Sequence, residues 1–295
     1  MNKVSIWLSA ILCTIALASP ATANVIARTQ IFVTSPEGTF GIAGDQQSLT
    51  GGTARAESIL PFDEFLGFGA EGRATASLGT LKSFSLADNG SPLLLRTEAW
   101  SSFDDVLSIV LLNNSNITLP PSTPGFADIR VAYNWSVRPF ATGDANASII
   151  LGVSGGSAFA QEGSGGANPL EVSGSTQAID SILGDFFTVR VPFASAVDLA
   201  ISLVLLTDAQ NDGPGFGTAD AFHSAYWGGI VAVRDSDLNI VPFSVTSASG
   251  TDYRRSFVPG EVPTVPEPAT LSMLCCGFAF LLNRRVRRGR QRPVA

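Results

Sequence analysis

His223 is the single histidine of the 295-residue chain. A histidine-cluster metal site is therefore excluded, and a Ser-His-Asp hydrolase would have to work through this one imidazole. No G-x-S-x-G elbow accompanies it, and its surroundings read as strands rather than alternating strands and helices. The expectation is a strand histidine beside Tyr226 and Trp227, satisfied by a neighbouring hydrogen bond. The segment Asp208-Ala209-Gln210-Asn211-Asp212-Gly213 places oxygen ligands Asp208, Gln210 and Asp212 at every second position and a glycine at the sixth, as calcium loops do. The bidentate glutamate expected at the twelfth position is replaced by Ala219, with Asp220 next, and an ordinary Asp/Asn/Gly/Pro turn has the same composition. Calcium is thus the one cofactor the sequence admits, and nothing in it requires a cofactor.

Carboxylates could also meet across a cleft, as glycoside hydrolysis needs. Asp104-Asp105 and Asp235-Ser236-Asp237 are the adjacent pairs on offer, but a chain with 25 acidic residues always presents such pairs. Trp100, Trp135 and Trp227, with Tyr133 and Tyr226, could build a sugar-stacking platform. Aromatics at alternating strand positions equally fill a core. No catalytic residue is expected from these patterns, and the chain reads as a non-enzyme.

The three cysteines are Cys13, Cys275 and Cys276, all in the terminal apolar segments. The body of the chain therefore has no disulfide, no thiol nucleophile and no cysteine metal site. It is long enough to bury a core without them. With Lys3 and the arginines of the last twelve residues set aside, 11 basic residues face 25 acidic ones, a net charge near −14. Such a field disfavours nucleic acid and anionic lipid headgroups as partners.

The elements that would position these groups are strands. In Ile129-Arg130-Val131-Ala132-Tyr133-Asn134-Trp135-Ser136-Val137-Arg138 every odd position is apolar or aromatic, so one face meets a core and the other meets water. Residues 99–112, 147–153, 186–193, 197–206 and 225–234 read as further strands, the fourth apolar on both faces. Gly228-Gly229 suggests a bulge. Turn clusters at 88–92, 120–125 and 211–215 separate them. No helical period of 3.6 appears between the termini. An all-β fold follows, an antiparallel, jelly-roll-like β-sandwich over residues 24–257. A split into two subdomains near the glycine-rich 152–166 is the alternative.

The termini carry addresses. Lys3, the apolar residues 4–18, the break at Pro20 and Ala21-Thr22-Ala23 have the form of a secretory signal over 1–23, with cleavage between Ala23 and Asn24. At the other end, the prolines of 258–268 make a stiff stalk. Uncharged residues then run from Ala269 to Leu282. As a helix this run reaches about 20 Å, against a hydrocarbon core of about 30 Å. A short transmembrane helix over 269–283 is expected, with the arginine-rich 284–295 held in the cytoplasm and the large domain outside.

Val265-Pro266-Glu267-Pro268, an apolar helix and an arginine-rich end, in that order, resemble the PEP-CTERM sorting tail of Gram-negative surface proteins. The resemblance implies recognition of Pro266, Glu267 and Pro268 by exosortase, a membrane-embedded cysteine transpeptidase. It implies passage through the inner membrane, transient anchorage there, and then cleavage and delivery to the cell surface or extracellular matrix. Thr218-Ala219-Asp220, Val233-Arg234-Asp235-Ser236-Asp237 and Ser249-Gly250-Thr251-Asp252-Tyr253 are likewise similar to segments of many PEP-CTERM ectodomains. The expected role is a structural or adhesive protein associated with extracellular polysaccharide. A carbohydrate-binding module is the second expectation and a secreted hydrolase the third.

Overall fold

A computed structural model describes residues 23–259, apart from 36–37, 64–66, 91–92, 114, 165 and 183–184. Ala21, the expected stalk from 260 onward with Pro266, Glu267 and Pro268, the expected transmembrane helix and the basic tail lie outside the described residues. Among the described residues no helix is long and apolar enough to cross a membrane.

Fourteen strands make up the fold. They are β1 (Asn24–Ser35), β2 (Gly38–Thr50), β3 (Thr53–Asp63), β4 (Phe68–Ser77), β5 (Thr80–Asn89), β6 (Leu94–Leu111) and β7 (Pro124–Tyr133). They continue with β8 (Ser136–Val153), β9 (Gly156–Gly163), β10 (Gly166–Gly174), β11 (Gln177–Ile182), β12 (Phe186–Ala194), β13 (Asp198–Asp235) and β14 (Phe243–Ser247). Every pairing between them is antiparallel, in two facing sheets. One sheet runs β2-β1-β6-β13-β8-β9-β10, using the first half of β13 and the second half of β8. The other runs β3-β4-β5-β13-β7-β12-β11, using the second half of β13.

Two strands belong to both sheets. β13 is continuous for 38 residues and changes sheet between Asn211 and Gly215; its partner β8 changes with it, between Ala141 and Gly143. The crossing needs glycine. A Cβ on Gly143 would stand 2.1 Å from the Phe216 carbonyl oxygen, and one on Gly217 would stand 2.4 Å from that of Asp144. Gly213 takes φ +124°, a region L side chains avoid. The buried Asn211 side chain pins the bend: its Nδ2 donates to Ala87 O at 2.5 Å and to Gly215 O at 2.8 Å. The segment 211–215, expected as a turn, thus redirects a strand without reversing it.

The inner faces share one core. Val25, Phe103, Ile149, Leu203 and Leu205 from one sheet meet Leu81, Ile129, Val131, Phe187 and Trp227 from the other. Around β3, β4 and β5 the inward residues are small: Ala54, Ala56, Ala74, Ala76, Ser83 and Ser85. Ser83 and Ser85 satisfy their hydroxyls on Thr207 Oγ1 across the core, at 2.7 and 3.0 Å. Within the glycine-rich stretch, residues 152–163 form the end of β8, the turn into β9, and β9 itself.

A C-terminal arm, residues 248–257, closes the end of the sandwich opposite the crossing. Tyr253 is wholly buried, stacked on Phe103 and edge-on to Trp227 with centroids 6.2 and 5.1 Å apart. Trp227 Nε1 donates to Tyr253 O at 2.8 Å, and Phe257 N donates to Trp227 O at 2.9 Å.

Candidate functional site

Alternation along a strand sends neighbours to opposite faces, and this separates the carboxylates that the sequence places together. Asp105 points inward, where Ser249 Oγ and the Ser249 amide donate to it. Burial first, and then this carboxylate, push the Tyr253 phenol well above its ordinary range. Asp104 points outward between Asn24 and Ser202, and burial raises its carboxyl to about 6. Asp235 accepts from the amides of Asp237 and Asn239, both at 2.9 Å, and so forms the turn after β13.

Asp208, Gln210 and Asp212 lie within β13, so their backbone is extended rather than looped. Asp208 is held by Arg96, which donates from Nε at 2.9 Å and from Nη2 at 3.1 Å. Burial pushes Asp208 up to about 6 against that pull. The side chains of Asp212 and His223 lie outside the described residues. Among the described residues no three His, Cys, Asp or Glu side chains gather as metal ligands.

The expected aromatic platform divides. Tyr133, Trp135 and Trp227 belong to the core, and Trp135 Nε1 donates to Glu162 at 2.7 Å. Trp100 and Tyr226 remain half-buried on outer faces, on different sheets. Trp100 lies opposite Arg28 of β1 and Leu206 of β13, and its indole Nε1 is buried without a hydrogen-bond partner among the described residues.

A groove of about 540 Å³ runs over β3, β4 and β5. Arg73 in its wall bridges Glu57 and Glu71. The stronger site is the outer face of β12, β7 and β13. Antiparallel register sets Arg190 beside Asp128, Thr188 beside Arg130, and Arg234 beside Phe126. Arg190 chelates Asp128 from Nε at 2.7 Å and Nη2 at 3.1 Å, and Arg234 Nε reaches the second carboxylate oxygen at 2.9 Å. Asp128 is only 5 % exposed, against 14 % for Arg190 and 25 % for Arg234. Arg234 also donates to Leu238 O, which joins the cluster to the turn that Asp235 organises.

Arg130 is placed differently. Its stem crosses Gly228, where a Cβ would stand 2.7 Å from Arg130 Cγ. Its guanidinium lies over the Phe186 ring, 4.4 Å from the centroid. Among the described residues it has no carboxylate and its buried Nε has no hydrogen-bond acceptor. The expected bulge at Gly228-Gly229 is present as a register break between Trp227 and Ile230, and it makes this arrangement possible.

No family model, curated protein or solved structure matches the chain with statistical significance. The arginine cluster was not legible in the sequence, because its members are 62 and 106 residues from Asp128. The available signal was the outward position of Arg130 in the alternating segment 129–138.

Proposed function

We propose that this chain is an exported cell-surface or extracellular-matrix protein, sorted by exosortase through Pro266, Glu267 and Pro268, whose ectodomain is structural or adhesive. The observation that carries this reading is the order Pro-Glu-Pro, apolar segment and arginine cluster at one end, with a signal-like segment at the other. In this reading 1–23 is the signal helix, 269–283 the transmembrane helix, and the ectodomain between them a jelly-roll-like sandwich. Supporting it, β1 begins at Asn24, the residue expected to follow signal cleavage, and the closing arm ends at Phe257, at the start of the stalk. The fold is also held without cysteine, so it does not depend on the redox state of its compartment.

The test is the intact mass of the protein from cells and medium, with and without exosortase. The reading expects loss of residues 1–23 and of everything beyond the Pro-Glu-Pro region, the latter only when exosortase is present. Replacing Pro266, Glu267 and Pro268 by alanine should leave the protein uncleaved in the membrane. Normal release of that variant would refute the sorting role. A second reading, carbohydrate binding, draws on the flat outer sheet faces where Trp100 and Tyr226 remain partly exposed. A secreted hydrolase has less support, since Asp104 and Asp105 face opposite sides of β6.

A further inference from the structure

We propose that the outer face of β12, β7 and β13 binds a carboxylate-bearing polysaccharide, with Arg130 taking the sugar carboxylate. The inference deepens the carbohydrate-binding reading and rests on it.

The first argument is charge. Only 11 basic residues lie in the acidic body of the chain, and three of them, Arg130, Arg190 and Arg234, meet on three adjacent strands. One of the carboxylates on this face, Asp128, is consumed by two of the arginines. Asp180 of β11 flanks the face, in register with Thr188. Among the described residues in register on this face, three arginines meet two carboxylates, Asp128 and Asp180, with Asp185 and Asp235 at its ends. This concentration of arginines in an acidic domain suits an anionic partner.

The second argument is the state of Arg130. Arg190 and Arg234 are fixed by Asp128 and cannot turn to a ligand without breaking a buried pair. Among the described residues Arg130 has an aromatic partner and no anionic one. A guanidinium set over a ring, with its Nε buried, can still turn its two terminal Nη groups to a carboxylate in two parallel hydrogen bonds. The side chain is already ordered by Gly228 beneath and Phe186 beside it, so little conformational freedom is lost on binding.

The third argument is shape. This face is an open sheet surface rather than a concave pocket, and small ligands are held in pockets. Phe186 and Tyr226 lie at one end of the face, on either side of Ala132, and Phe126 and Pro192 lie at the other. Partly exposed rings on a flat surface suit the apolar faces of sugar rings in an extended chain, which gains strength from repeated contacts. The negative charge of the rest of the domain opposes a dense polyphosphate and is better tolerated by a polymer with one carboxylate per sugar.

The experiment uses the full chain solubilised in mild detergent. Binding is measured by affinity electrophoresis and calorimetry against polygalacturonate, its fully methyl-esterified form and dextran. The expected result is binding to polygalacturonate alone, weakening as salt rises. Arg130→Gln should weaken it at least tenfold, and Arg130→Lys should restore part of it. Trp100→Ala, on the opposite sheet, should leave it unchanged. Equal binding of the methyl ester, or unchanged binding by both Arg130 variants with intact unfolding midpoints, would overturn the proposal. Equally tight, Arg130-dependent binding of DNA or anionic vesicles would also overturn it, by showing a general anion site. Failure here leaves the sorting role standing, because no exosortase enters the assay, and failure of the mass experiment leaves this result untouched.

Discussion

Asp104→Asn should stabilise the protein above pH 4 and make little difference below it. Asp104 stands on the outer face of β6 between Asn24 and Ser202, and forms no ion pair with any described residue. Burial raises its carboxyl from the ordinary 3.8 to about 6. A folded-state value above the unfolded one means that the folded protein keeps a proton the unfolded chain has already released. The contribution of this group is therefore fully present below pH 4, is lost as pH climbs through the window from about 4 to about 6, and is constant above it. A displacement of this size corresponds to about 3 kcal/mol as an upper value, since part of the carboxyl still meets water. The asparagine keeps the shape and removes the titration. At pH 8 the variant should be more stable than the parent by about 1.5–3 kcal/mol, and at pH 4 the two should agree within about 0.5 kcal/mol. Urea unfolding followed by tryptophan fluorescence, run on both proteins at each pH unit from 4 to 8, gives the difference directly. Other carboxylates shift both curves alike and cancel. A difference that is the same at every pH would refute the reasoning.

Other changes probe the frame. Asp128→Ala leaves Arg190 and Arg234 facing each other without a counter-ion, and should cost about 3–5 kcal/mol in urea unfolding. Adding Arg190→Leu to it should recover part of that loss. Tyr253→Ala removes a fully buried ring from between Phe103 and Trp227, with an expected loss of about 3–5 kcal/mol; Tyr253→Phe, which keeps the ring, should cost far less, and equal losses would assign the stability to the hydroxyl. Gly143→Ala forces a Cβ against the Phe216 carbonyl and should cost more than any surface substitution, read as a lowered unfolding midpoint; a neutral result would mean the crossing strands can separate.

The strands from 94 onward were largely legible because their inward residues are large. Ile129, Val131, Tyr133 and Trp135 alternate with Arg130, Ala132 and Asn134, and all four are buried, though the strand expected over 129–138 breaks at Asn134 and Trp135, between β7 and β8. Strands β3 to β5 carried little signal, because most of their inward positions are small, among them Ala54, Ala56, Ala74, Ala76, Ser83 and Ser85. Small residues let the two sheets approach closely but give no hydrophobic alternation that periodicity can detect. The crossing at 211–215 was hidden for a different reason. Asn, Asp, Gly and Pro mark any abrupt change of backbone direction, and composition does not tell a reversal from a bend that keeps its ladders. For the arginine face, alternation predicted which way Arg130 points. The convergence of Arg190 and Arg234 on Asp128 is set by register between distant strands, which no local pattern encodes.

The closing arm has a mechanical consequence. Phe257 donates its amide to the Trp227 carbonyl of β13. Tension applied at Phe257 is therefore delivered to the strand that passes through both sheets. β13 is flanked by β6 and β8 in one layer and by β5 and β7 in the other. A pull along its axis loads many hydrogen bonds at once in shear, rather than opening them one after another like a zip. A domain built this way can be pulled at Phe257 while its far end is held, and the two layers resist as a single body.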